Sequence, residues 1–320
     1  MTIRNLAITV PTIGRISIGH IEERDGKRLP AKDDFFHITT QAKQNGEWMP
    51  HPLAASLARP EEKLRAIPVR FMFNDPDLNF RYRYELFDKG TKRQLCVGDG
   101  DKAKRLDQAS GAIEEVECLG ADRCDLGKRL GCRIFGRLYV QIEGQKNDLA
   151  TFIHRTRGYN ATRALRASIA GLAAGFPGRL AGLPLTLKLR GKASALSHGS
   201  LFFYADLEPR DGLTLAEVAK QADAYHKALA EVGFNREAFE QAYLEGLQAS
   251  PFEETPEEAS ELEEFLLEGA GDDAKGSPCK KGVRVVAIKP GDEGAAGLER
   301  LRRGSEDVGK PPEQGAVASA

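Results

Sequence analysis

Alternation dominates the first two thirds of the chain. In FRYRYELFD, Phe80, Tyr82, Tyr84 and Leu86 fall on one side of an extended segment, and Arg81, Arg83 and Glu85 on the other. RLYVQIE sets Leu138, Val140 and Ile142 against Arg137, Tyr139 and Gln141. LPLTLKLRGK sets Leu185, Leu187 and Leu189 against Thr186, Lys188 and Arg190. RFMFND and SLFFYADLEP have strand composition, and His154 alternates with Phe152 on a further predicted strand. Period-two patterns of this kind predict sheets with one buried and one wet face. FNDPDLNF, rich in Asn, Asp and Pro, predicts a turn between two strands.

The period changes at YNATRALRASIAGLAAGFPG. Ala161, Leu165, Ile169 and Leu172 make a helical stripe, with Asn160 as the expected N-cap and Gly175 and Pro177 as the stop. Arg163 and Arg166 lie off that stripe. After Pro209 helices take over. Thr214 and Glu217 form a capping box, Asn235 caps NREAFEQAYLEGLQ, and Thr255 with Pro256 and Glu258 opens a third helix. From about Gly271 onward Gly, Pro, Ser and charge predict disorder, with GVRVVAIKP as one short strand or a segment that orders on a partner. The expected class is α+β: a β-rich domain over 1–210, a helical acidic region over 211–270 and a mostly disordered tail over 271–320.

Composition adds a compartment and a charge map. Neither a secretory signal nor a run of about 18 apolar residues is present, so a soluble cytoplasmic protein with no membrane contact is expected. Residues 1–200 hold 33 Lys plus Arg against 22 Asp plus Glu, and residues 201–320 hold 13 against 25. No acidic residue falls between Asp148 and Asp206. That window contains Arg155, Arg157, Arg163 and Arg166, which with Tyr159 and Asn160 form a candidate surface for an acidic partner or for DNA phosphates. Its plainer reading is a solvated face balanced by the acidic end of the chain.

Cys96, Cys118, Cys124 and Cys132 fall within 37 residues, separated by 21, 5 and 7 residues, with Gly98, Gly100, Gly120, Gly127 and Gly131 to supply turns. In a reducing compartment such a cluster points to metal before disulfides. Four thiolates suit a tetrahedral zinc, closed to water and therefore structural, that gives loop 96–132 the core its polar sequence lacks. The paired C-x₂-C knuckles that would make the signal specific are absent, and four unrelated thiols are the alternative. His154 and His198 are weaker candidates for a ligand or catalytic role.

Enzymatic motifs are missing. The sequence has no H-E-x-x-H, no P-loop, no G-x-S-x-G and no dinucleotide fingerprint. Asp75 and Asp77 have no visible partner for a cation site. A non-enzymatic role is expected.

Several stretches together resemble a known family. GRISIG is followed by KRLPAKDDFFHITT, PVRFMFNDPDLNFRYRYELFD, the cysteine loop, CRIFGRLYVQI, FIHRTRGYNATRAL and GLPLTLKLRGK. This order, over about residues 13–192, is similar to the phage recombination-directionality-factor-like family. The resemblance implies a β-rich domain with a cysteine insertion, encoded on a phage or integrated mobile element. It implies binding to a serine integrase on DNA, in favour of excision over integration. It also implies metal-like positions at Cys96, Cys118, Cys124 and Cys132 and a contact surface around Arg155, Arg157, Tyr159 and Asn160. Two other functions fit the residues less well. A single-strand nucleic-acid-binding protein would use basic residues interleaved with aromatics on a sheet face. A metal-dependent hydrolase would need an open metal position and a carboxylate to activate water.

Overall fold

A computed structural model describes residues 8–248, apart from 25–26, 32, 60, 89 and 194–200, together with Ser250 and Phe252. The predicted helix at 255–268 and the tail from 271 lie outside the described residues, as does His198.

The molecule is built on one large mixed sheet with a few helices, a β-rich α+β fold. Its main path runs through β1 (Thr12–Ser17), β4 (His37–Gln44), β5 (Glu47–Pro50), β7 (Phe80–Phe87), β8 (Gln94–Gly98), β9 (Lys102–Leu106), β10 (Ile113–Glu117), β11 (Arg133–Ile142) and β12 (Thr151–Thr156). The spatial order is β10-β9-β8-β7-β11-β12-β1-β4-β5. The pair β1–β12 is parallel and the other neighbours are antiparallel. A branch leaves β11 through β6 (Ala66–Arg70) to β13 (Leu185–Ala193) and β14 (Leu201–Pro209). A separate hairpin pairs β2 (His20–Arg24) with β3 (Lys27–Ala31).

The two faces of the central strands bury different things. Phe80, Leu138 and Phe152 share one face and enter a core with Ile16, Ile67, Leu185 and Leu187. Helix α4 (Tyr159–Gly175) closes that face with Leu165, Ile169 and Leu172. Helix α5 (Leu215–Glu231) adds Val218 and Ala222 to the same core. The opposite face holds a second cluster of Val10, Met72, Phe73, Leu78, Tyr139 and Ile153. Helix α6 (Arg236–Gln248) covers it with Phe239, Tyr243 and Leu247. Both helices after residue 210 thus pack on the sheet.

The alternating strands carry the predicted parity, and on β13 Arg190 is exposed as expected, but on β7 and β11 much of the polar face is buried. Glu85 and Gln141 are fully buried and Arg137 is 2% exposed. A second layer lies over that side, so its polar groups must satisfy one another. Helix α4 starts two residues early, with Gly158 as N-cap and no side-chain cap. The Thr214–Glu217 capping box is present, and Asn235 accepts from the Ala238 amide at 3.0 Å. FNDPDLNF is a one-turn helix, α2 (Pro76–Asn79), with Asp75 as its N-cap. Two further short helices are α1 (Pro52–Leu57) and α3 (Asp125–Leu130).

Candidate functional site

The four cysteines come from four places and meet at one corner of the sheet. Cys96 is in β8, Cys118 follows β10, and Cys124 and Cys132 flank α3. The Cys124 thiol caps α3 by accepting from the Gly127 amide at 3.4 Å. Gly131, at φ 87°, ends the helix, and the Gly131 and Cys132 amides both donate to the Gly127 carbonyl at 2.8 Å. One six-residue helix therefore delivers two thiols from its two ends. The Cys118 amide donates to the Asp101 carbonyl at 2.8 Å, which fixes the third against the β8–β9 turn.

All four side chains line a cavity of about 20 Å³, together with Tyr84, Arg105 and Leu119. That is room for one water or one ion. Glycine makes the approach possible. A Cβ on Gly98 would lie 2.5 Å from the Cys118 Sγ, and one on Gly127 would lie 3.1 Å and 3.3 Å from the Cβ atoms of Cys132 and Cys124. All four cysteines are free and half-buried. Burial, reinforced by the other three cysteines, pushes the Cys132 thiol up to about 12. Burial also raises Cys96, against the opposing pull of the Arg105 guanidinium beside it.

The donor set and the glycine cradle fit a metal, but the sulfurs stand apart. Among the described residues one trio of His, Cys, Asp or Glu has all its ligand atoms within 4.8 Å of one another, and it lies elsewhere. A tetrahedral zinc with bonds of ~2.3 Å holds its sulfurs about 3.8 Å apart. A bound ion would have to draw these thiols inward.

Tyr84 connects this corner to the start of α4. A Cβ on Gly120 would meet the Tyr84 ring at 3.4 Å. Burial raises the Tyr84 hydroxyl first, with Asp122, Cys118, Tyr159 and Cys132 adding to the shift. Tyr159 itself is 62% exposed. Asn160, Arg163 and Arg166 are exposed beside it on the helix, and the Arg166 guanidinium sits 5.6 Å from the Tyr82 ring centre.

Arg155 and Arg157 face the other way. Arg155 stands opposite Arg137, which stands opposite Arg81, so three arginines line up across β12, β11 and β7. This row is on the α6 side of the sheet, whereas Arg163 and Arg166 ride on the helix that covers the opposite side. Glu85 offsets the row. Its carboxylate takes Arg137 Nη1 and Nη2 at 2.6 and 2.8 Å and Gln94 Nε2 at 2.8 Å, with Arg83 at 3.5 Å. Arg157 lies 5.3 Å from the centre of the Phe135 ring. None of Arg81, Arg83, Arg155 and Arg157 is without a partner. The six predicted contact residues thus form two groups on opposite faces.

The sequence model of the Gp3-like family, described as recombination directionality factor-like, matches residues 13–210. The chain belongs to this family. No curated protein and no solved structure matches it. The recombination directionality factor-like region runs from β1 through β14, so it includes the cysteine corner, both arginine groups and α4. Helices α5 and α6 fall outside it.

Within this family member, His154 is a core residue. It is 3% exposed, and its Nδ1 lies 2.9 Å from the Ile16 carbonyl oxygen. Burial holds its pKa below the usual imidazole range. Sequence reasoning missed Glu85, Gln94 and Tyr84 as parts of the site. Glu85 carried a signal, since a lone acid among Arg81, Arg83 and Arg137 at the same strand parity is placed to neutralise them.

Proposed function

We propose that this chain is a non-enzymatic accessory factor of a phage or other integrated mobile element. It binds a serine integrase in the cytoplasm and sets the direction of site-specific recombination on DNA. The observation that carries this reading is the family match over 13–210, which encloses the cysteine corner and the exposed start of α4. Among the described residues no helix is long and apolar enough to cross a membrane.

Cys96, Cys118, Cys124 and Cys132 would hold a zinc ion. Four thiolates leave no open position, so the ion would supply structure and no catalysis. It would fix α3 and the loop at 118–124 against β8, and with them Tyr84 and the start of α4. That corner is the candidate docking surface for the integrase: Tyr159 and Asn160 at the tip, Arg163 and Arg166 behind.

A nucleic-acid reading based on sheet stacking fares less well. Two aromatic rings of the sheet that stand among basic residues are already capped by the chain's own cations: Phe135 by Arg157, and Trp48 by Arg15 at 3.9 Å and Lys43 at 4.3 Å. Single-strand binding through stacked bases needs open rings.

The test is a recombination assay with the purified full chain and the serine integrase of the same element. Adding the chain should switch the integrase from joining attachment sites to recombining the hybrid sites, with no reaction from the chain alone. An unchanged ratio of the two products over a range of chain concentrations refutes the proposal.

A further inference from the structure

We propose that His20, Asp33 and His37 form a metal site, separate from the cysteines, that takes a divalent first-row transition ion and staples the β2–β3 hairpin to the sheet. The three residues come from three segments: the first position of β2, the link between β3 and β4, and the first position of β4. One carboxylate oxygen, Asp33 Oδ2, lies 2.7 Å from His20 Nδ1 and 2.7 Å from His37 Nε2. The three ligand atoms all lie within 4.8 Å of one another, and this is the trio of the described residues that meets that limit.

The donor set decides the class of ion. Two imidazoles and one carboxylate suit zinc, cobalt, nickel or iron(II), whereas calcium and magnesium prefer all-oxygen shells. With bonds of ~2.1 Å, ligand atoms around a tetrahedral ion stand about 3.4 Å apart. The histidine nitrogens would therefore retreat from Oδ2 by less than 1 Å each, a movement available to side chains at the surface. His20 is about half exposed, and Asp33 and His37 are partly exposed, so an ion can enter and keep water at its remaining position.

Two features prepare the site. Asp34, the next acid along, is turned away to Lys63 at 2.5 Å and to Arg65, so Asp33 alone serves the histidines. The Phe35 ring packs on His37 with centres 4.5 Å apart, which orients that imidazole. The site also answers a physical need. Among the described residues the β2–β3 hairpin pairs only within its own two-stranded sheet. A lone two-stranded hairpin is marginal in water. A metal shared between β2, the β3–β4 link and β4 would fix both ends of the hairpin to the main sheet.

Cobalt(II) titration of the metal-free full chain, followed by absorption and calorimetry, tests this. Expected is a binding event with weak visible bands and no thiolate charge-transfer band, distinct from any event at the cysteines. His20→Ala and Asp33→Asn should weaken that event at least about a hundredfold, more than the loss of a supporting partner costs, and leave any thiolate event unchanged. Cobalt should also slow amide exchange in 20–24 and 27–31 in the parent and not in the variants. His20 is exposed enough that His20→Ala should melt with the parent in EDTA, which keeps the test valid if Asp33→Asn folds poorly. A parent chain whose only cobalt event has thiolate bands, or no event at all, overturns the proposal. Equal cobalt affinity in His20→Ala and the parent overturns it as well.

Discussion

Replacing Glu85 by leucine should be among the costliest single changes in this fold. Glu85 is fully buried and its carboxylate accepts three hydrogen bonds from Arg137 and Gln94, with Arg83 within 3.5 Å. Removing it leaves Arg137, at 2% exposure, as a buried cation that has lost its carboxylate. It also leaves the Gln94 amide without its acceptor. Breaking a buried pair from one side costs about 3–5 kcal/mol. At about 2–4 °C per kcal/mol for a domain of this size, the melting point should fall by roughly 6–20 °C. Arg137→Leu should cost a similar amount, because it leaves Glu85 buried with less positive charge. The double variant removes both charges together. It should be less damaged than either single one, with Arg83 and Gln94 accounting for the ~1–3 kcal/mol that remains. Urea denaturation of the four proteins gives the cycle directly. A Glu85→Leu cost under ~1 kcal/mol, or strictly additive single costs, would show that the carboxylate does not neutralise the arginine row.

Three other outcomes follow from the same structure. The cysteines of the purified chain should hold about one zinc, so Cys124→Ser or Cys132→Ser should lower the zinc content by about one per chain, measured by elemental analysis, whatever the His20–Asp33–His37 site retains; metal-free parent protein would refute the cysteine reading. Gly98→Ala should lower zinc retention and shift Cys118, since its methyl would sit 2.5 Å from that sulfur, while the isolated glycine at 171, which has open space, should tolerate alanine. Stability should fall with acid below about pH 6.5, because the buried His154 has a lowered pKa and the unfolded chain takes up the proton first. In His154→Gln that slope should flatten, and an unchanged slope from pH 7 to 5 would remove His154 as its source.

Local signals were legible and remote ones were not. The capping box at Thr214 and the cap at Asn235 depend on residues three apart, so the sequence displays them whole. The parity of β7 and β11 was equally readable from side-chain alternation. What parity cannot display is a second layer. Tyr139, on the same side of β11, is covered by Phe239, Tyr243 and Leu247, about a hundred residues later, and Arg137 is paired by Glu85, about fifty residues earlier. The cysteine cluster was legible as composition, but its cavity depends on the β7–β8 pairing and on α3. The parallel pairing of β1 with β12 joins residues about 140 apart and has no local signature. His20, Asp33 and His37 escaped notice for the same reason, since a turn between strands decides whether they meet.

The acid-free window contains two kinds of arginine, and this separates a binding test from a folding test. Arg155 and Arg157 lie half-buried on the α6 side, in line with Arg137 or against Phe135, and both have partners. Reversing them to glutamate would place new charge into a row balanced by Glu85. The expected first effect is lost stability, whatever happens to binding. Arg163 and Arg166 are exposed on α4 beside Tyr159, with Arg166 also within electrostatic reach of Asp77 and 5.6 Å from the Tyr82 ring centre. Arg163→Glu with Arg166→Glu should lower the melting point by no more than about 4 °C, as each exposed change usually costs no more than ~0.5 kcal/mol. Integrase binding should nonetheless weaken by about tenfold or more at low salt, and the deficit should narrow as salt screens the exposed charges. If this double reversal binds integrase as the parent does at low salt, the start of α4 is a solvated face. If Arg155→Glu with Arg157→Glu weakens binding while melting unchanged, the partner sits on the α6 side of the sheet instead.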